Sequence, residues 1–361
     1  MLLTLAARNG WTKFASFLIK KGKDINARDR YGVTPLTASI QGQRIKVVSL
    51  LIEKGADLNK TDARGRSPIH LAVYYRLQDI IKLLVESGAN LNASDGTGWS
   101  PLTTAVVSGK LKIVSLLISY NLDVNVTTEK GLLSPIHLAG YHKHQDIMKL
   151  LIKSGANLNA LDGAGYSPLT SAVYHGNLEI VSLLIDYNLD INKADGNGWS
   201  PILIAASKGW NDIFSFLIKR GSDINSKEPN GWSTLNMCIS RGEFKMVKLL
   251  IDSGVDVNLP NKIGSTPLAY AVYQGKMEIQ YDIASLLIER GASTNIKLRS
   301  GRSLLHMAAD GGYYYMIQLL LANGAKIGTK DRNGNSPTEA IMKLEKIDKF
   351  KTLLLHQTLF K

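Results

Sequence analysis

Apolar residues recur along this chain in pairs. Leu-Leu stands at Leu50-Leu51, Leu83-Leu84, Leu116-Leu117, Leu150-Leu151, Leu183-Leu184, Leu249-Leu250, Leu286-Leu287 and Leu319-Leu320, and Phe17-Leu18 and Phe216-Leu217 fill the same role. From Phe17 the steps are 33, 33, 33, 34, 33, 33, 33, 37 and 33 residues. An asparagine marks the same period independently, from Asn26, Asn59 and Asn92 through to Asn258 and Asn295. Two markers in one register define an internal repeat, and a period of this size means a stack of small units.

Each unit carries the same signals in order. Ser or Thr followed by Pro, as at Thr34-Pro35, Ser67-Pro68 and Ser100-Pro101, opens a helix. The hydroxyl accepts from orphan amides, and proline at the first helical position loses no bond. A short first helix follows, often broken by glycine (Gly109, Gly176, Gly209, Gly242 and Gly275). The second helix carries the Leu-Leu pair at amphipathic spacing, which places both leucines in the core. It stops near Gly55, Gly88 or Gly155, which suits a left-handed cap. Asp-hydrophobe-Asn and the next Asp-x-x-Gly make an extended turn, in which the Asn side chain satisfies turn backbone. A helix pair with a hairpin is too small to bury its own apolar face, so stacked neighbours must bury it. The fold class is an all-α repeat solenoid of about ten to eleven repeats, in a single domain over 1–361. Residues 1–30 form a partial or capping repeat, 31–331 the internal repeats and 332–361 the C-terminal cap, with a charged outer face.

The segment from Gly65 to Asp95, "GRSPIHLAVYYRLQDIIKLLVESGANLNASD", resembles the ankyrin-repeat family, and the likeness covers nearly the whole chain. It implies antiparallel helix pairs with protruding β-hairpin loops, curved into a concave surface. Departures from the pattern are local. One extra residue in "GLLSP" enlarges one hairpin, and four in "GKMEIQYDIASLL" extend one second helix by about a turn. Units three and four are near copies of units five and six, down to "VSLLISYNLDVN" and "VSLLIDYNLDIN".

Composition changes this picture little. Of 361 residues, 45% are hydrophobic and 20% charged, which is ordinary globular usage. No apolar run reaches the roughly 20 residues of a membrane helix, and no secretion signal is legible at the N-terminus. One cysteine, Cys238, excludes an intrachain disulfide and suits a reducing compartment. The expected location is the cytoplasm, with the nucleus or a host cell's cytosol as alternatives. The net charge of +13 raises nucleic acid or an anionic ligand as an alternative partner.

Chemistry is not legible. There is no phosphate-cradling loop, no His-Glu-x-x-His, no Cys-x-x-Cys and no Gly-x-Ser-x-Gly. The chain reads as no enzyme, with no cofactor and no metal. The family reading makes His70, His137 and His306 structural. His142, His144 and Asp146 do not share one helix face and lack a fourth ligand.

What varies among the repeats is the residue after the hairpin glycine and two slots late in the first helix. The first gives Arg66, Trp99, Tyr166, Trp199, Trp232 and Arg302, expected to project from the hairpins. The second gives Tyr74, Tyr75, Tyr141, His142, Tyr174, His175, Lys208, Arg241 and Tyr273. By the family resemblance these slots line the concave ligand face. Trp, Tyr and Arg dominate interface hot spots. The expectation is a monomeric, non-catalytic scaffold or adaptor that binds another protein. The competing expectations are a basic module for nucleic acid, or the targeting arm of a larger enzyme or channel.

Overall fold

The computed structural model describes residues 1–128 and 132–342. Among these the chain forms 21 helices, and its hairpins contain no strand, only the isolated bridges Lys227–Ser233 and Lys297–Ser303. The chain divides into two compact units, the first Met1–Leu189 and the second from Asp190 on.

The first unit holds six helix pairs: α1 (Leu2–Asn9) with α2 (Thr12–Lys20), α3 (Pro35–Gln41) with α4 (Ile45–Glu53), α5 (Pro68–Tyr74) with α6 (Gln78–Glu86), α7 (Pro101–Val107) with α8 (Leu111–Ile118), α9 (Pro135–Tyr141) with α10 (Gln145–Lys153), and α11 (Pro168–Tyr174) with α12 (Leu178–Asp186). First helices pack on first helices, α1 on α3 and so on to α9 on α11, while second helices pack in a parallel row. The second unit repeats this with α13 (Pro201–Lys208), α14 (Asn211–Lys219), α15 (Thr234–Arg241), α16 (Phe244–Asp252), α17 (Pro267–Tyr273), α18 (Glu278–Glu289), α19 (Leu304–Asp310), α20 (Tyr314–Ala322) and α21 (Pro337–Met342). The rest of the expected C-terminal cap, 343–361, lies outside the described residues.

The local signals act as read. Ser100 and Ser167 each accept at 3.2 Å from the amide three residues on, with proline at the first helical position. Gly55, Gly88 and Gly155 take φ of 81°, 88° and 86° behind the second helices. The enlarged hairpin shows in its closing bond, which runs from the Thr128 amide to the Leu133 carbonyl, one residue wider than Asp29 to Val33. The longer insertion gives α18 twelve residues where its counterparts have eight or nine.

One expectation needs correction. In most pairs only the second leucine belongs to its own unit's core: Leu51, Leu84, Leu117 and Leu184 are buried, but Leu50, Leu83, Leu116 and Leu183 are half-buried, while in the lengthened α18 both Leu286 and Leu287 are buried. The first leucine points toward the neighbour, and Leu50 packs on the cluster of Leu3, Ala6, Ala15 and Leu18 in the preceding pair. The core of the second helices from α4 on contains instead a triplet at i, i+1 and i+4, such as Ile113, Val114 and Leu117.

Hydrogen bonds staple the units. Contrary to expectation, the repeating asparagine's side chain serves the next repeat; its own turn is served by the residue two before it, as Asp24 accepts from the Asn26 amide and Asp57 from the Asn59 amide, each through Oδ1. Asn26 Oδ1 accepts from the Asp57 amide at 2.8 Å, Asn59 from Asn90 at 2.8 Å and Asn125 from Asn157 at 2.7 Å, each one repeat on. In the second unit Asn258 accepts from the Ser293 amide at 2.8 Å and donates to the Gly291 carbonyl at 2.9 Å.

The division between the two leucines is testable. Leu117→Ala should cost about 2–5 kcal/mol through its cavity. Leu116→Ala should cost about half of that or less, because part of its surface already meets water. Urea melts of the two variants should rank in that order; the reverse order would contradict this assignment of the core.

Candidate functional site

In the first unit the slot three residues into the first helix is filled in two ways, by threonine or by histidine, and histidine recurs in the second unit at His306. Where it is threonine the contact is local: Thr103 Oγ1 donates to the Ser100 carbonyl at 2.9 Å and accepts from the Ser100 amide at 2.8 Å. Where it is histidine the ring spans two repeats. His70 Nδ1 lies 2.8 Å from Ser67 Oγ, and its Nε2–H donates to the Trp99 carbonyl at 2.9 Å. His137 bridges Ser134 to the Tyr166 carbonyl, and His306 bridges Ser303 to the Asn335 carbonyl. A carbonyl only accepts, so Nε2 carries a proton, and at His70 the Ser67 amide donates to Nδ1 at 3.3 Å, which leaves that nitrogen an acceptor. These rings therefore hold the backbone of the hairpin residue in the next repeat, Trp99 or Tyr166.

The hairpin residues are held from below as well. Asp62 Oδ1 accepts from the amides of Arg64 and Arg66, and Asp95 and Asp195 hold Trp99 and Trp199 in the same way. Glu228 takes the place of aspartate under Trp232. Arg66 is bound into this turn, its guanidinium bidentate on Asp62 Oδ2 at 3.0 and 2.7 Å. Burial alone would raise the Asp62 carboxyl, but the Arg66 side chain and the two amides outweigh it and hold it below its ordinary value.

The hairpin residues project less than their sequence suggested. Arg66, Trp99, Tyr166, Trp199, Trp232 and Arg302 are all half-buried. Trp232 packs on Tyr270 with centroids 4.9 Å apart, Tyr166 on Tyr174 at 4.9 Å, and Arg302 pairs with Asp310. They build the wall of the surface. Its exposed edge is the row of first-helix ends, where Tyr74, Tyr141 and Tyr273 are 56%, 60% and 69% exposed. Their neighbours are half-buried (Tyr75, His142, Tyr174) or exposed (His175, Lys208, Arg241). Within the first unit the rings meet edge to face: Tyr74 with Tyr75, Tyr141 with both His142 and His175, and Tyr174 with His175, all with centroids 5.1–5.2 Å apart. Sequence reading missed Trp11 and Trp210, each just ahead of a second helix and 52% and 40% exposed. Their common register, one slot past the first-helix ends, was the available signal.

Nothing here resembles a reactive centre. His142 and His144 stack at 5.8 Å, Asp146 pairs with Lys149, and among the described residues no group of three or more His, Cys, Asp or Glu could hold a metal. Cys238 is buried against Met246, and burial pushes its thiol well above its ordinary value. Among the described residues no helix is long and apolar enough to cross a membrane.

A row of helix pairs whose cores and staples repeat, while the first-helix ends vary, defines a helical repeat protein. Family models described as "Ankyrin repeats (3 copies)" match residues 1–62, 57–128, 187–261, 203–298 and 235–331, and one described as "Ankyrin repeats (many copies)" matches 136–185. The chain belongs to the ankyrin-repeat family. It is 33% identical over 91 residues to a putative ankyrin repeat protein of Acanthamoeba polyphaga mimivirus, a stretch that is 24% of this chain and 12% of that one. It is 39% identical over 72 residues to inversin of Gallus gallus, covering 20% of this chain and 6% of that protein. The chain thus spans only a small part of the curated relatives it matches.

The histidine bridges give stability a pH dependence. Burial holds the imidazoles of His70 and His137 below their ordinary value, chiefly by disfavouring the charged form. The unfolded chain takes up protons near pH 6.5 that the folded rings refuse, so the stabilisation is complete above that value and is lost as pH falls. Wild type should lose stability between about pH 7 and pH 5. A His70→Thr/His137→Thr variant, using the residue of the neighbouring repeats, should lose less over that interval in urea melts. Equal losses would contradict the bridges as the source.

Proposed function

We propose that this chain is a non-catalytic interaction module that grips a partner protein along the first-helix ends and hairpin walls. Ankyrin repeats are generally protein–protein interaction modules, which supports the class. One observation carries the site: Tyr74, Tyr141 and Tyr273 stand at one register of the repeat, largely exposed. Folding makes no use of most of their surface. A tyrosine buries much area at small entropic cost and keeps a hydroxyl for a polar partner, which is the profile of an interface anchor. The half-buried Trp99, Trp199 and Trp232 add apolar wall held in place by the acidic turn residues beneath. A scaffold or adaptor role follows from a long row of such slots without reactive groups.

The test is affinity capture from lysate at moderate and high salt, with wild type beside a Tyr74→Ala/Tyr141→Ala/Tyr273→Ala variant. The variant should keep its circular dichroism and melt within about 1 kcal/mol of wild type, because exposed positions cost little. A protein held by wild type at high salt and released by the variant is the expected result. Equal capture by both would place binding elsewhere.

A further inference from the structure

The two units treat charge at their first-helix ends differently. In the second unit two cations are met by acids near these ends: Arg241, in a connector, lies 3.9 Å from Glu243, and the hairpin residue Arg302 pairs with Asp310 at the end of its first helix. In the first unit the connectors from first to second helix read RNGW, QGQR, YYRL, VSGK, YHKH and YHGN, with five Arg or Lys and no carboxylate. Carrying each on into the first turn of the second helix adds Asp79, Asp146 and Glu179, which leaves eight cations against three carboxylates.

Backbone conformation singles out two of these cations. The third connector residue takes a left-handed φ in all six repeats of the unit. It is glycine at Gly10, Gly109 and Gly176, but Gln43, Arg76 and Lys143 elsewhere, with φ of 57°, 62° and 60°. A residue with a Cβ is disfavoured there, and glycine is the low-cost choice. Long cationic side chains at Arg76 and Lys143 therefore oppose local backbone preference. Neither has an ion-pair partner among the described residues, and both are exposed. Each directly follows an aromatic pair, Tyr74-Tyr75 or Tyr141-His142. Folding gives no reason for them, and conformational cost without structural return points to a ligand.

Like charges are also crowded here. Lys110 Nζ donates to the Val73 and Tyr74 carbonyls at 3.0 and 2.7 Å and lies 5.6 Å from the Tyr74 ring centre. Burial, and then the Arg76 charge, lower its ammonium below the ordinary value. Burial and His144 do the same to His142. A negatively charged partner would relieve both.

We infer that the first-helix ends of the Met1–Leu189 unit bind an extended, carboxylate-rich peptide segment, with Arg76 and Lys143 as its charge anchors and the Tyr74-Tyr75 and Tyr141-His142 pairs as its apolar floor. The inference rests on the partner-binding reading and names the partner's chemistry. Carboxylates fit better than a nucleic-acid strand. The cations are dispersed, at most one to a connector, where a phosphate backbone calls for a continuous track. The rings meet edge to face, so each pair covers part of the surface that a base would stack on. An isolated guanidinium or ammonium in a connector that also carries tyrosine suits a carboxylate, which accepts charge-assisted hydrogen bonds from the cation.

The experiment pans a random short-peptide phage library on the immobilised full chain, on an Arg76→Gly/Lys143→Gly variant and on a Lys82→Gln/Lys153→Gln variant. The first variant restores the glycine of the other repeats and should melt at or above the wild-type temperature, so lost binding cannot be lost folding. The second removes the same charge from second helices. Wild type should enrich peptides rich in Asp and Glu. Their recovery should fall about tenfold or more on the glycine variant, as expected when charge-assisted bonds are lost, and stay within about twofold on the glutamine variant. Enrichment of neutral or basic peptides, or equal recovery on the glycine variant, overturns the acidic partner and leaves the partner-binding reading standing. No enrichment above a bare surface removes both.

Discussion

The structure depends on contact between neighbouring repeats. A helix pair of about twenty residues cannot bury enough apolar surface to offset the entropy of ordering itself. Each pair here spends one leucine on its own core and offers the preceding leucine to its neighbour, as Leu50 does on Leu3, Ala6, Ala15 and Leu18. Polar staples set the register of that contact. The asparagine side chain ties many of the turns to the next, as at Asn26, Asn59 and Asn125, and histidine at three repeats ties the start of a first helix to the following hairpin. Because the contact recurs from junction to junction within a unit, a duplicated two-repeat block adds repeats without new design.

This arrangement separates two sets of positions. Core triplets, caps and staples are fixed by stacking, and their chemistry repeats. The first-helix ends lie outside the core triplets and touch their neighbours through side chains of varied kind, as Lys110 does at the Val73 and Tyr74 carbonyls and Tyr141 at His175, so their chemistry differs from repeat to repeat. That freedom is used unevenly. In the first unit the ends carry tyrosine, histidine and cations with no carboxylate in their connectors, while in the second Arg241 lies beside Glu243. The hairpin tryptophans sit between the two sets, half-buried on the stack and half available.

Much of this was legible in the sequence because it depends on local rules. The period, the Ser/Thr-Pro caps, the left-handed glycines and the lengthened α18 follow from helix geometry and backbone sterics. What escaped depends on contacts across repeats. Leu116 and Leu117 are identical in sequence terms, and only the neighbour decides which is buried. The Asn59 bond reaches the amide of Asn90, and nothing in the turn itself predicts an acceptor role one repeat away. Trp99 and Trp199 looked like projecting residues, but both are half-buried, with their backbone amides held by the turn carboxylates. Arg76 and Lys143 were visible in principle, since they break a column of glycines. Their meaning required the φ values.

The most direct measurement is hydrogen–deuterium exchange on the full chain, alone and saturated with the partner recovered by capture. Slowed exchange confined to the first-helix ends and hairpins, including residues 74–77 and 141–144, with the outer second helices unchanged, is the expected result. Protection confined to the second helices, with 74–77 and 141–144 unaffected, would contradict a partner site on the first-helix ends.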